Sequence, residues 1–445
     1  MRPTTLALLS ALAGLMPCAG AADIDDARLA DAGRDRANWL TYARDYTNQR
    51  FSPLAAINAV NVKKLAPRWI YQSGVPATFQ ATPIVADGVM YVSLPFNHVV
   101  ALEAASGREL WRYEHKRRTP KMCCGPANRG VAVAYGKVFM GTVDARLVAL
   151  DAKTGKTLWD VPLVDDMDAT TERTEQLAAD DPLRKQNVTG STGVGANLAP
   201  VVYKGKVIIG ITGVGFGLHL DSDRAGAPLG AVIGIAGQSQ RAGFYAAFDA
   251  ANGSRVWQFD STIEQWEGEF RATTPDGVPL ERDIAREKAD AARYRDSWKR
   301  GGGSAWTTPA IDVERGLIYL GIGNPSPQMD DVTRPGDNLY TVSLVALDVE
   351  TGRLKWQAKT PEPLIGGVLA TAGGVVFTGE GNGSLSAFDA KTGALLWQFN
   401  CGAGVNAPPV AYEIDGTQYI AVAVGGSALF GYRQGELVIA FALPR

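Results

Sequence analysis

The chain has few of the residues that carry much of enzyme chemistry: 3 histidines and 4 cysteines in 445 residues. His98, His115 and His219 have no partners at ligand spacing, which argues against a zinc site. No C-x-x-C-H occurs, so a covalently attached c-type haem is excluded. No G-x-S-x-G elbow occurs. The stretch "GITGVGFG" follows a strand pattern but opens no helix, so it fails the context test for a dinucleotide cradle. Charge of one sign is not in excess: Lys+Arg 44 against Asp+Glu 46 gives a net charge of −2. A nucleic-acid partner is not expected from that balance, and "EHKRRTPK" reads as a solvated loop. Beyond the N-terminus no apolar run approaches about 18 residues, so no membrane span is expected.

The N-terminal stretch "MRPTTLALLSALAGLMPCAGAADIDD" joins one basic residue, Arg2, to an apolar run and a small-residue pattern, Ala19-Gly20-Ala21. It reads as a secretory signal peptide over residues 1–21, with export to the periplasm expected. Disulfides persist in such a compartment. Cys18 would leave with the signal, and Cys401 would remain as an odd thiol. Cys123 and Cys124 stand side by side in "TPKMCCGPANRGVAVAY". Read as residues alone, they are two buried thiols, a metal pair or a bond to each other.

Glycine is abundant, 50 of 445 residues, within a chain that is 46% hydrophobic. Short strands and tight turns suit that composition. A repeat then organises it. "ALEAASGRELWRY", "ALDAKTGKTLWDV", "AFDAANGSRVWQF", "ALDVETGRLKWQA" and "AFDAKTGALLWQF" share one pattern, with a degenerate copy in "KLAPRWIYQSG". Each reads strand, turn, strand, with glycine supplying a positive φ at the turn. The tryptophans are Trp69, Trp111, Trp159, Trp257, Trp356 and Trp397. Upstream of most copies lies a second hairpin, such as "PIVADGVMYVSLP" or "PVVYKGKVIIGIT".

Two hairpins make a four-stranded blade, and radially arranged blades make an all-β propeller. About six blades are expected, near 80–113, 130–161, 198–259, 306–358, 366–399 and 407–430. An N-terminal strand is expected to close the last. The repeat tryptophans are read as packing residues between blades. Residues 22–445 are expected to be one propeller domain with insertions near 165–195, 217–243 and 265–303. The stretch 281–300, rich in helix formers with i,i+4 charge pairs, reads as a surface helix.

The repeat "ALDAKTGKTLW", together with "WLTYARDYTNQRFSPLAAINAVNVKKLAPRW", the "CCGPANRG" stretch, "GIGNPSP…RPGDNLYT" and "GGVLATAGGVVFTGEGNGSLSAFDAKTGALLWQF", resembles the quinoprotein alcohol dehydrogenases. That family uses pyrroloquinoline quinone on an eight-bladed propeller. The resemblance covers nearly the whole chain after the signal. It implies a periplasmic oxidoreductase acting on an alcohol or aldehyde. It implies that Cys123 and Cys124 form a vicinal disulfide against one face of the quinone, with Trp306 on the other. A flat cofactor is well held between an aromatic and a polarisable slab. Arg129 matches the arginine near the reactive carbonyls, where a cation stabilises charge on the reduced oxygens. Thr212, Gly213 and Val214 match a cofactor-contacting turn. Gln80 and Asn197 fall at other polar contacts, though each differs from the commonest family residue. Asn324 matches an amide ligand of a calcium or lanthanide ion.

The departures are as informative. Gly215 stands where the family has a metal-binding glutamate, so the cation would lose a carboxylate. Asp221 and Asp223 follow in an inserted loop. The segment that carries the family's catalytic aspartate and a cofactor-contacting lysine is absent between "LKWQAKTPEP" and "LIGGVLATAGG". The catalytic residues are therefore unassigned. Glu362 reads as a surface-loop residue and Asp337 as a turn aspartate. A general base contributes about 10²–10⁴-fold, so a non-catalytic propeller that binds a ligand or a protein partner is the alternative. With no haem motif, electrons would leave to a separate soluble carrier such as a cytochrome c.

Overall fold

The computed structural model describes residues 24–118, 125–164, 194–212, 241–273, 279–280, 282–313, 317–323, 325, 334–341, 344–345, 368–389, 392, 394–427 and 432–444. These form six sheets. The first is Ile84–Ala86, Val89–Ser93, Val99–Glu103 and Glu109–Tyr113. The second is Ala132–Ala134, Lys137–Gly141, Arg146–Asp151 and Thr157–Pro162. The third is Val201–Tyr203, Lys206–Gly210, Phe244–Asp249 and Arg255–Asp260, antiparallel throughout. The fourth contains Ala310–Asp312, Leu317–Gly321 and Leu344–Val345. In the fifth, Val368–Thr371, Val375–Gly379, Ser384–Asp389 and Leu395–Asn400 gain a parallel partner, Phe51–Ser52.

The sixth sheet closes the ring. Val410–Ile414, Thr417–Val424 and Leu437–Ala442 pair in order, and Ala66–Gln72 adds the outermost strand beside Leu437–Ala442. The expected N-terminal closing strand is thus present. The last blade runs to Ala442 rather than stopping near 430, because a stretch outside the repeat pattern precedes its third strand.

Burial follows the sequence within each blade. The first two strands of the first sheet, "IVA" and "VMYVS", are buried at every position, and the outermost, "ELWRY", at none. Continuous β-branched and small apolar runs suit strands covered on both faces. The repeat turn explains the Asp, Thr and Gly. Asp151 Oδ1 accepts from the backbone N–H groups of Lys153 and Thr154 at 3.1 and 2.8 Å. Gly155 then takes φ +70°, a conformation cheap only for glycine.

That glycine also receives the neighbouring blade. A Cβ on Gly155 would lie 2.5 Å from Trp111 Cε3, and one on Gly107 would lie 2.5 Å from Trp69 Cε3. Trp111 Nε1 donates to Ala152 O at 3.0 Å, and Trp69 Nε1 to Ala104 O at 3.2 Å. Each tryptophan lies flat on the turn of the next blade with its N–H paired. Trp159 also packs on Gly253, although its Nε1 has no hydrogen-bond partner, and Trp397 meets the edge of Phe441 at a centroid distance of 5.5 Å. Trp356 lies outside the described residues.

The N-terminal segment visits every sheet before it enters the sixth. Trp39 exchanges both backbone bonds with Val85 at 2.9 Å. Ala37 O accepts from Glu413 N, Tyr46 O from Ile311 N and Ser52 O from Ala372 N. Tyr135 N donates to Ile24 O, and the Tyr46 hydroxyl to Val202 O at 2.6 Å. Nearly all these partners lie on or beside the first strand of a blade. The segment is therefore a floor across the hub of the propeller. The helix expected over 281–300 runs Ile284–Tyr294, capped by Asp283, whose carboxylate accepts from Arg286 N at 3.0 Å.

Candidate functional site in the propeller hub

The stretches leading into the first strands meet at the hub. Gln80, Asn128, Asn197, Trp306 and Asn406 stand at one register position, each three residues before Pro83, Val131, Pro200, Pro309 and Pro409. The lead-ins are tied together. Arg129 N donates to Asn197 O at 2.8 Å, and Thr82 N donates to Arg129 O at 2.8 Å. Gly130 permits this approach: a Cβ there would sit 3.1 Å from Thr82 O and 3.3 Å from Ala199 Cβ. Asn128 braces the turn, accepting from Gly130 N at 2.8 Å and donating to Gly141 O at 2.7 Å.

With its backbone held on both sides, Arg129 places its guanidinium over the Trp306 ring, 5.3 Å from the centroid. The structure thus brings Arg129 and Trp306 together. Trp306 is 47% exposed, unlike Trp69 at 9%. Its backbone is clamped: Ala305 N donates to Ile211 O at 2.8 Å, and Thr307 O accepts the Tyr245 hydroxyl at 3.0 Å. The indole thus keeps about half of its surface exposed beside a cation, whereas Trp69 and Trp111 lie on the turn of the next blade.

Asn197 and Thr212 are buried and engaged within the protein. Asn197 Nδ2 donates to Ala127 O at 3.0 Å, and Thr212 Oγ1 lies 3.0 Å from both Asn197 Oδ1 and Gly195 O. They set the position of the Arg129 lead-in. Gln80 is half-buried beside Phe79, which packs against Gly425. Cys123, Cys124, Gly213, Val214, Gly215 and Asn324 lie outside the described residues, as does Glu362. Among the described residues no group of three or more His, Cys, Asp or Glu side chains is placed to hold a metal ion.

The floor adds a second cation that the sequence reading did not single out. Arg50 stands over Trp39 at 5.3 Å and Tyr42 at 5.5 Å. It donates to Tyr42 O at 2.8 Å and to Pro409 O at 3.1 Å. Burial lowers its pKa to about 10, partly opposed by Tyr42. Burial lowers Arg129 as well, with Tyr42 again opposing. Two half-buried guanidiniums therefore lie near one phenol at the hub, and arginine side chains stay protonated in proteins. The hub offers cations, amides and a flat aromatic face, which fits a planar anion carrying carboxylates and carbonyls.

Asp337 is fully occupied elsewhere. It accepts from Arg282 Nη1 at 2.7 Å and from the backbone of Arg271 and Glu269. Burial raises its pKa, but the Arg282 bond and charge and the two backbone donors together outweigh that and hold it below the usual carboxylate range. It anchors the "RPGDNLYT" turn, in line with its reading as a turn aspartate. At the root of the Cys123–Cys124 stretch, His115 Nε2 lies 2.8 Å from Asp144 Oδ1, and Asp144 Oδ2 accepts from Arg118 N at 2.9 Å. Both side chains are buried.

Comparison with known proteins gives this geometry a context. The PQQ family model, "Glucose/ethanol/alcohol dehydrogenase, beta-propeller domain", matches residues 39–362 and 357–420. The chain is 35% identical over 361 residues to quinohemoprotein alcohol dehydrogenase ADH IIB of Pseudomonas putida, covering 80% of this chain and 44% of that protein. It is also 35% identical over 334 residues to the dehydrogenase subunit of the alcohol dehydrogenase (quinone) of Gluconobacter oxydans, covering 73% and 38%. The chain thus spans less than half the length of these relatives. Among solved structures, the quinohemoprotein alcohol dehydrogenase ADHIIG of Pseudomonas putida HK5 superposes with a TM-score of 0.69 at 23% identity, over 95% of this chain and 82% of that one. A europium-containing methanol dehydrogenase gives a TM-score of 0.71 at 19% identity, over 94% and 100%.

Proposed function

The chain belongs to the PQQ family of glucose, ethanol and alcohol dehydrogenase β-propellers, and from that premise we propose that its hub binds pyrroloquinoline quinone and oxidises a small alcohol or aldehyde in the periplasm. One observation carries the reading: Trp306, half-exposed at the axis, lies under the Arg129 guanidinium. Trp306 is the stacking face, and the Cys123–Cys124 disulfide is the expected opposite wall. When bound, the quinone supplies the two-electron acceptor for alcohol oxidation. Arg129 stabilises negative charge at its carbonyl oxygens, in a site where burial strengthens that interaction. Arg50, from the floor, offsets the charge of the carboxylates. A calcium or lanthanide ion held through Asn324 belongs to the same reading. Electrons leave to a separate soluble carrier, such as a cytochrome c.

The absent segment with the family's base favours a second reading, a propeller that keeps the ligand and has lost the turnover. One experiment separates the two. The purified protein is titrated with pyrroloquinoline quinone, with and without calcium, and dye-linked oxidation of short alcohols and aldehydes is followed. Binding with turnover supports the dehydrogenase. Saturable binding with no dye reduction above background supports the second reading. No binding under any metal condition sinks both.

A further inference from the structure

Asn406 is 2% exposed, and neither its Nδ2 nor its Oδ1 has a hydrogen-bond partner. That is unusual: a buried amide left unmade costs about 1–3 kcal/mol for each unpaired group. Its counterparts in the blade register are not left so. Asn128 and Asn197 use both ends of their amides within the protein.

The chain also makes room for this side chain. Gly404 stands two residues before it, and a Cβ there would lie 2.8 Å from Asn406 Oδ1, 2.8 Å from Gly426 Cα and 3.0 Å from Gly381 O. Gly425, next in line, packs on Phe79, the neighbour of Gln80. Glycines thus house an amide where the fifth blade meets the sixth, and the sixth in turn packs on the first through Gly425. Three residues on, Pro409 O accepts the floor guanidinium of Arg50 at 3.1 Å.

We infer that Asn406 is a ligand contact of the hub: its Nδ2 donates to a carbonyl or carboxylate oxygen at the edge of the bound quinone. The inference rests on the reading of the hub as a quinone site. Around the axis, Trp306 supplies a face and Arg129 a charge, and Asn406 supplies a neutral directional donor from the opposite side of the blade sequence. The unpaired state without ligand is a stability cost kept in exchange for binding, as at other functional sites.

The test compares wild type, Asn406→Leu and Asn406→Asp by calorimetric titration with pyrroloquinoline quinone and by thermal unfolding of the quinone-free protein. Asn406→Leu should weaken binding about tenfold, while the quinone-free Tm stays level or rises, because an unpaired polar group has been removed. Asn406→Asp keeps the shape but loses the donors, and should weaken binding at least as much. A Kd within twofold of wild type in Asn406→Leu overturns the inference, and more so if the quinone-free Tm falls, as a structural amide bridged by buried water would give. Wild-type affinity in Asn406→Asp overturns the donor assignment. Wild type that binds no quinone overturns the proposed function and this contact together. Wild-type binding with an indifferent Asn406 overturns this contact alone.

Discussion

Replacing Trp306 by alanine tests the hub most directly, and its effect can be worked from the indole's exposure. Trp306 is 47% exposed, so a ligand on its open face covers about 100 Å² of a side chain of roughly 230 Å². At about 25 cal/mol per Å² that contact contributes about 2.5 kcal/mol, or about 70-fold in Kd. The fold should survive, because the Trp306 backbone is held by Ala305 and Thr307 rather than by the ring. Binding is read by calorimetry, since the substitution removes a fluorescence probe, and far-UV circular dichroism checks the fold. Trp306→Phe keeps a smaller face and should retain affinity within about fivefold. A Trp306→Ala protein that folds normally and binds quinone within threefold of wild type would refute stacking on this residue.

Three further predictions concern the frame of the site. Burial raises the Asp144 pKa, but the bond to His115 and its charge, together with bonds from Thr142 and Arg118 N, outweigh it and hold the group at about 2. Because that lies below the unfolded value, the pair stabilises above about pH 4 and loses the contribution as pH falls toward 2, about 2.4 kcal/mol in all. Urea midpoints should therefore fall more steeply with acid in wild type than in Asp144→Asn, and parallel curves would contradict this. Gly155→Val places a β-branched residue at φ +70° against Trp111 and should cost about 2–3 kcal/mol by urea unfolding. Gly88→Ala, at φ +81° in open space, should cost about 1 kcal/mol, so equal losses would remove the docking clash from the argument. Burial pushes the Cys401 thiol up to about 12, so peptide mapping after iodoacetamide at pH 8 should find it unlabelled in native protein and labelled in urea.

The blades were legible because their residues repeat. Asp, Thr and Gly make the turn and Trp packs on the next one, so one period exposes the whole device. The hub was legible only where the sequence resembles a known motif. Arg129 and Trp306 were found in that way. Arg50 was not, because the floor carries no repeat and its placement depends on a local fold that brings it over Trp39 and Tyr42 and on Pro409 from a distant blade. Asn406 shares its register with Gln80 and Asn197, so position could have marked it. Its lack of partners could not be read, since pairing at the hub is decided by neighbouring blades. The end of the last blade was misjudged for a simpler reason: "SALFGYRQGE" interrupts the pattern before Leu437–Ala442.

The pairing of Ala66–Gln72 with Leu437–Ala442 has a consequence for how the molecule forms. Ala66–Gln72 has no partner until Leu437–Ala442 has been synthesised, and the floor precedes in the chain the blades it lies against. Contacts this far apart in sequence make folding slow, because the closure entropy of a very long loop is lost before the contacts repay it. An unfinished chain would expose an unpaired sheet edge at its open seam, a surface prone to association. Once shut, the same seam resists opening: neither strand can peel away without breaking its register with the other, so resistance to proteolysis should appear late in refolding and all at once.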